Sequence, residues 1–135
     1  MKEEEARPFF TENDVAIRGI DPVAYFTDGG PVPGNPDYAA EWEGATWHFA
    51  SAQNRDRFLD TPDAFAPQYG GFCAWAVAEK GQLYATDPEA WAIVDDKLYL
   101  NFNASIQKRW EKDIPGLIEA GDRRWPEIIA NQAAS

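Results

Sequence analysis

Hydrophobic and polar positions alternate with strand parity at two places in the chain. With Glu43-Gly44 as a two-residue turn, Trp42 opposes Ala45, Ala40 opposes Trp47 and Tyr38 opposes Phe49. That set shares one apolar face, while Glu41, Thr46, Ala39 and His48 share the other. With Asp95-Asp96 as a second turn, Ile93 opposes Leu98 and Trp91 opposes Leu100, and Lys97 and Tyr99 face away. A slip of one residue would scatter the apolar side chains over both faces, so parity sets each register. These four strands are expected in one small antiparallel sheet with one covered face.

Helical spacing governs other stretches. Ser51 to Leu59 reads as a helix capped by Ser51, with Phe58 and Leu59 reaching the core. Asn103 to Lys112 carries Ile106 and Trp110 one turn apart. After Asp113, the stripe Ile114, Leu117, Ile118, Gly121, Trp125, Ile128 and Ile129 keeps helical period across an expected break at Pro126. That stripe needs a surface, and the apolar sheet face is the expected one. Three segments repeat the order capping residue, Pro, any residue, Ala, aromatic: Asp21 to Tyr25, Thr61 to Phe65 and Asp87 to Trp91. Each predicts a helical turn or corner that aims a ring at the core. Val15 to Ile17 reads as a short strand. Residues 1–13, charged and aperiodic apart from Phe9 and Phe10, read as a flexible N-terminal arm, leaving 14–130 as one domain. The fold class is α+β: a small antiparallel sheet of two hairpins wrapped by short helices.

Composition sharpens this picture in two respects. With 135 residues, 44% hydrophobic and six Trp among them, the chain makes one domain whose core is built from rings. Twelve Lys and Arg against 23 Asp and Glu give a net charge of −11. Such a surface repels phosphate backbones and anionic lipid, which argues against nucleic-acid partners. One cysteine makes no internal disulfide. No stretch approaches transmembrane length, so membrane insertion is not expected, and the first residues carry no apolar leader core. As it stands the sequence predicts a cytoplasmic protein, or a periplasmic one if a leader has been removed.

Candidate chemistry gathers between Gln68 and Ala78. Gly70 and Gly71 admit positive φ, and Phe72, Trp75 and Ala76 recur at helical spacing, so a short buried helix is expected to start near Gly71. Cys73 then falls in its first turn, where free N–H groups favour a thiolate. It reads equally as a small core hydrophobe. Tyr69, Phe72 and Trp75 would line a pocket for a small apolar or planar ligand. Cys73 and His48, the only histidine, make two soft ligands for copper or zinc. A carboxylate or a second copy of the chain would have to complete that set, which makes a homo-oligomer one expectation. A Cys73–His48 nucleophilic pair has no third residue or oxyanion motif beside it. Asp21 and Asp87 read as caps.

The segments Asp21-Pro22-Val23-Ala24-Tyr25-Phe26, Trp47-His48-Phe49-Ala50-Ser51, Gly70-Gly71-Phe72-Cys73, Asp87-Pro88-Glu89-Ala90-Trp91 and Lys97-Leu98-Tyr99-Leu100-Asn101, with Trp110 and Trp125-Pro126, resemble the YHS domain family in its longer, stand-alone bacterial form. The resemblance runs from Ile17 to Pro126. It implies a non-enzymatic binding module. Short YHS domains attached to heavy-metal pumps look like metal-binding modules, with cysteines after Asp-Pro-Val and after the aromatic pair before Ser. This sequence has Ala24 and Ala50 there. Three functions follow as expectations: a module for a soft metal ion or small ligand near Cys73, a thiol-dependent redox protein using Cys73, and a structural or interaction domain.

Overall fold

The computed structural model describes residues 9–134, with short strands and helices in the order of an α+β domain. Strands β1 (Thr11–Glu12), β2 (Val15–Ala16), β3 (Asn35–Trp42) and β4 (Ala45–Phe49) form one sheet in the order β1-β2-β4-β3. β2 lies parallel to β4 through Val15 and Thr46, and the other pairs are antiparallel. Strands β5 (Asp87–Val94) and β6 (Lys97–Asn101) form a separate two-stranded ribbon. The two expected hairpins therefore exist, but in two sheets rather than one.

Both hairpins close through pairs of residues with positive φ: Glu43 at 53° with Gly44 at 82°, and Asp95 at 52° with Asp96 at 64°. Two successive left-handed residues make the tight turn whose twist matches that of the strands, and aspartate tolerates the conformation. Trp42 pairs with Ala45, Ala40 with Trp47, Trp91 with Leu100 and Ile93 with Leu98, as parity requires. The Tyr38–Phe49 pair does not form. The register shifts between Asn35 and Ala39, and Phe49 lies opposite Asn35. Between these pairs β3 advances further than β4, so residues of β3 bulge out of the ladder.

The helices are α1 (Ala24–Thr27), α2 (Ala52–Asp60), α3 (Pro62–Phe65), α4 (Ala74–Lys80), α5 (Ala104–Glu111) and α6 (Ile114–Ala134). Ser51 Oγ accepts from Asn54 N at 3.1 Å to cap α2, and Asn103 Oδ1 accepts from Ile106 N at 2.9 Å to cap α5. Phe58 is fully buried, whereas its neighbour Leu59 is 47% exposed, contrary to expectation. Consecutive helical residues differ by about 100° in direction, so one inward position excludes the next. The segment from Asp87 to Trp91 is strand, not a helical turn. Asp87 Oδ1 accepts from Glu89 N at 2.9 Å, a local Asx turn from which the extended chain continues. Its ring still reaches the core, with Trp91 5.4 Å from Tyr25, and Phe26 meets Phe65 at 5.5 Å.

Two clusters of buried side chains fill the interior. The first collects Ile17, Tyr25, Trp47, Phe49, Phe58, Leu98 and Leu100. The second collects Tyr69, Val77, Tyr99, Trp110, Leu117 and Ile128. The β5–β6 ribbon separates them: Trp91, Ile93, Leu98 and Leu100 face the first, Ala92, Val94 and Tyr99 the second. Helix α6 runs through Pro126 without a break and covers the second cluster alongside α4, rather than the face of the larger sheet. Of the expected arm, residues 1–8 lie outside the described residues. Phe9 packs against Trp47 at 5.2 Å, Phe10 is buried, and Thr11–Glu12 pair with β2, so residues 9–12 belong to the folded body. No helix among the described residues is long and apolar enough to cross a membrane.

One buried carboxylate ties the first half of the chain together. Asp21, fully buried, accepts through Oδ1 from Val23 N (2.8 Å) and Ala24 N (3.3 Å), and through Oδ2 from Ala50 N and Asn54 Nδ2, both at 2.8 Å. It thereby caps α1 and pins the β4–α2 corner with one group. Asp21→Ala strands several donors, each of which costs about 1–3 kcal/mol when buried unpaired. The expected loss in denaturant unfolding is about 3–5 kcal/mol for Asp21→Ala, with Asp21→Asn also impaired because its amide NH₂ faces other donors. A loss below about 1 kcal/mol for both would contradict this role.

Burial raises the ionisation of three core tyrosines above the ordinary value of 10.0: Tyr25, Tyr69 and, to about 12, Tyr99, with Asp122 and Asp95 adding to the effect at Tyr99. The folded state thus keeps protons that the unfolded chain loses. Stability is complete below the unfolded value and falls as pH rises from about 10 through the folded values. Melting temperature should drop across pH 10 to 12 as phenolate absorbance rises. Phenolate formation by all three tyrosines before any loss of structure would refute this.

Candidate ligand cleft

The chain between α3 and α4 takes an unusual path. Tyr69, Gly70 and Gly71 all have positive φ, at 58°, 64° and 84°. At Gly71 the requirement is also steric, because a Cβ would lie 2.6 Å from Ile17 Cγ2. Tyr69 carries a side chain in the same region, at a cost of about 1–3 kcal/mol that the surroundings must offset. They do so through its buried ring and its hydroxyl. The ring lies 5.8 Å from Tyr99 and 6.0 Å from Trp125. The hydroxyl donates to Asp122 Oδ1 at 2.9 Å and lies 3.3 Å from Ile118 O, both on α6. Gly121 makes this approach possible, since a Cβ there would stand 2.5 Å from the Tyr69 oxygen. Burial and the adjacent Asp122 carboxylate hold Tyr69 in its neutral, donating form.

Beside this junction lies an open cleft of about 320 Å³. Phe9 and Trp42 line it from the first cluster, and Tyr69 and Trp125 from the second. Phe9 and Trp42 lie 5.5 Å apart, so each wall is an aromatic pair. Asp63, Asp122 and Lys97 supply charge at the same cleft. Of the residues predicted to line a pocket, Tyr69 does so. Phe72 packs on Phe10 at 6.0 Å instead. Trp75 sits between Lys80 and Arg109, each 5.7 Å from its ring. Trp42, Trp125, Asp122 and Lys97 were not singled out as site residues. Gly121 was the available signal: a glycine inside an apolar helical stripe marks a place where another group comes close.

The helix expected to start near Gly71 begins at Ala74, so Cys73 precedes α4 rather than lying in its first turn, and its side chain is fully buried. Its sulfur accepts from Phe102 N at 3.3 Å and lies 3.5 Å from Asn101 Oδ1, which also takes Trp75 N at 3.0 Å. Burial pushes the thiol's pKa up, against a smaller lowering by the backbone N–H groups of Ala76, Phe102 and Trp75. The group is a neutral thiol in contact with β6. His48 lies on β4 opposite Ala39, beside Gly19 and Gly34, whereas the Cys73 sulfur meets Asn101 and Phe102.

The donor chemistry does not fit a soft metal ion. Ala24 and Ala50 offer no side-chain donor; their N–H groups both bind the Asp21 carboxylate, which those bonds and Asn54 already occupy. Among the described residues no group of three His, Cys, Asp or Glu side chains converges. Soft metals require thiolate or imidazole in numbers that this arrangement lacks.

No curated protein and no solved structure matches the chain. The family model of the YHS domain matches residues 23–69, a segment that runs from the start of α1 through β3, β4, α2 and α3 to Tyr69 at the cleft. It therefore contains the groups of Val23, Ala24, Ala50 and Asn54 that donate to Asp21, the β3–β4 hairpin and one aromatic from each wall, Trp42 and Tyr69. The segment 23–69 is thus similar to the YHS domain.

Proposed function

We propose that this protein is a non-enzymatic binding module that takes up a small organic ligand in the cleft beside Tyr69. The aromatic lining carries the reading. Two ring pairs from separate cores border about 320 Å³, and small-molecule sites run from about 300 to 1,000 Å³ with apolar walls and few polar groups. The left-handed backbone at Tyr69 adds support, because strain of this kind gathers at binding sites and is held there by surrounding structure. The metal form of the family's activity finds no donor set here. The burial that keeps Cys73 neutral argues against a nucleophilic or redox role.

The test is two-dimensional NMR of the indole N–H signals during titration with indole, nicotinamide or benzyltrimethylammonium. Signals of Trp42 and Trp125 should move, while that of fully buried Trp110 stays. Gly121→Ala should abolish the shifts, since its methyl group displaces the Tyr69 hydroxyl, and should cost about 1–3 kcal/mol of stability by overpacking. The reading fails if no probe moves either signal. It also fails if zinc or copper(I) raises the melting temperature of wild type but not of Cys73→Ser.

A further inference from the structure

We infer that the cleft selects organic cations, an alkylammonium group carried on a compact apolar body. The inference rests on the reading of the cleft as a ligand site and names the class of ligand. Four aromatic side chains line it: Phe9, Trp42, Tyr69 and Trp125. Ring faces carry negative potential and attract an ammonium group, most strongly where water is partly excluded. The carboxylate of Asp122 borders the same space with its orientation set by Tyr69, whose hydroxyl occupies Oδ1 at 2.9 Å. A carboxylate held at one oxygen offers its charge without the cost of ordering a free side chain. Around this local arrangement stands a chain of net charge −11, which raises the local concentration of cations and lowers that of anions.

Lys97 is the one cation among the described lining residues, and it gives the inference its sharpest consequence. It is exposed, at the first position of β6 just after the Asp95-Asp96 turn, so its removal leaves the cores intact. It opposes a cationic ligand and favours an anionic one. Substitutions at Asp122 and Lys97 must therefore act in opposite directions on a cation, and neither acts on a neutral molecule of the same shape.

Choline and 3,3-dimethylbutanol supply that pair of probes, identical in outline but differing by the charge, with benzoate as the anion. In NMR titration choline should move the Trp42 and Trp125 indole signals at lower concentration than 3,3-dimethylbutanol, and benzoate should be the weakest. Asp122→Asn should raise the choline Kd about threefold to fivefold, and Lys97→Met should lower it by a similar factor, as exposed single charges do. The Kd for 3,3-dimethylbutanol should change in neither variant. A melting curve of each variant checks folding, and Lys97→Met carries the test if Asp122→Asn is unstable. If 3,3-dimethylbutanol or benzoate matches or exceeds choline at the same two signals, the cation class is wrong while the site stands. If none of these probes nor indole moves those signals, the site and the inference fall together.

Discussion

A two-stranded ribbon with apolar side chains on both faces cannot leave either face to water, and that constraint arranges this domain. Leu98 and Leu100 alternate with Tyr99, and all three are buried. The chain therefore needs a layer on each side of β5–β6. The four-stranded sheet with α2 and the rings of Phe49 and Phe58 supplies one; α4, α5 and α6 supply the other. Two cores joined across a thin partition meet at an edge, and the aromatic cleft lies at that edge, taking two rings from each core. Its position follows from the partition.

Two polar groups hold the arrangement in register. The Asp21 carboxylate gathers backbone from α1 and from the β4–α2 corner, which are distant in sequence. The Tyr69 hydroxyl reaches α6 and fixes that helix against the turn before α4. Asp21 is fully buried and the Tyr69 bonds are part-buried, and where water is excluded a missing partner costs more than a made bond contributes. Around Ala24 and Ala50 the local polar chemistry is complete: every Asp21 oxygen has donors.

Much of the local structure was legible in the sequence, and the reasons are physical. Glu43-Gly44 and Asp95-Asp96 were readable as turns because side-chain alternation leaves a single consistent register on either side. Ser51 and Asn103 were readable as helix starts because a side-chain oxygen must serve the free N–H groups. What escaped depends on contacts made far along the chain. The shift at Tyr38, the exposure of Leu59 and the separation of the hairpins into two sheets follow from tertiary packing. Cys73 lies just before α4 rather than in the first turn of a helix from Gly71, and its burial arises from β6 running beside it, with Leu100 bridged to Cys73 itself. The cleft was half-visible through Tyr69. Trp42 and Trp125 are brought together only by the completed fold, and no local spacing connects them.

The central claim is that this chain presents its binding surface at an aromatic cleft and not at a thiol-centred metal site. Native mass spectrometry of the protein isolated from its own host tests it most directly. The account predicts an organic adduct of low mass, released on unfolding and lost in Gly121→Ala. A stoichiometric copper or zinc ion that is retained by Gly121→Ala and lost in Cys73→Ser would contradict it.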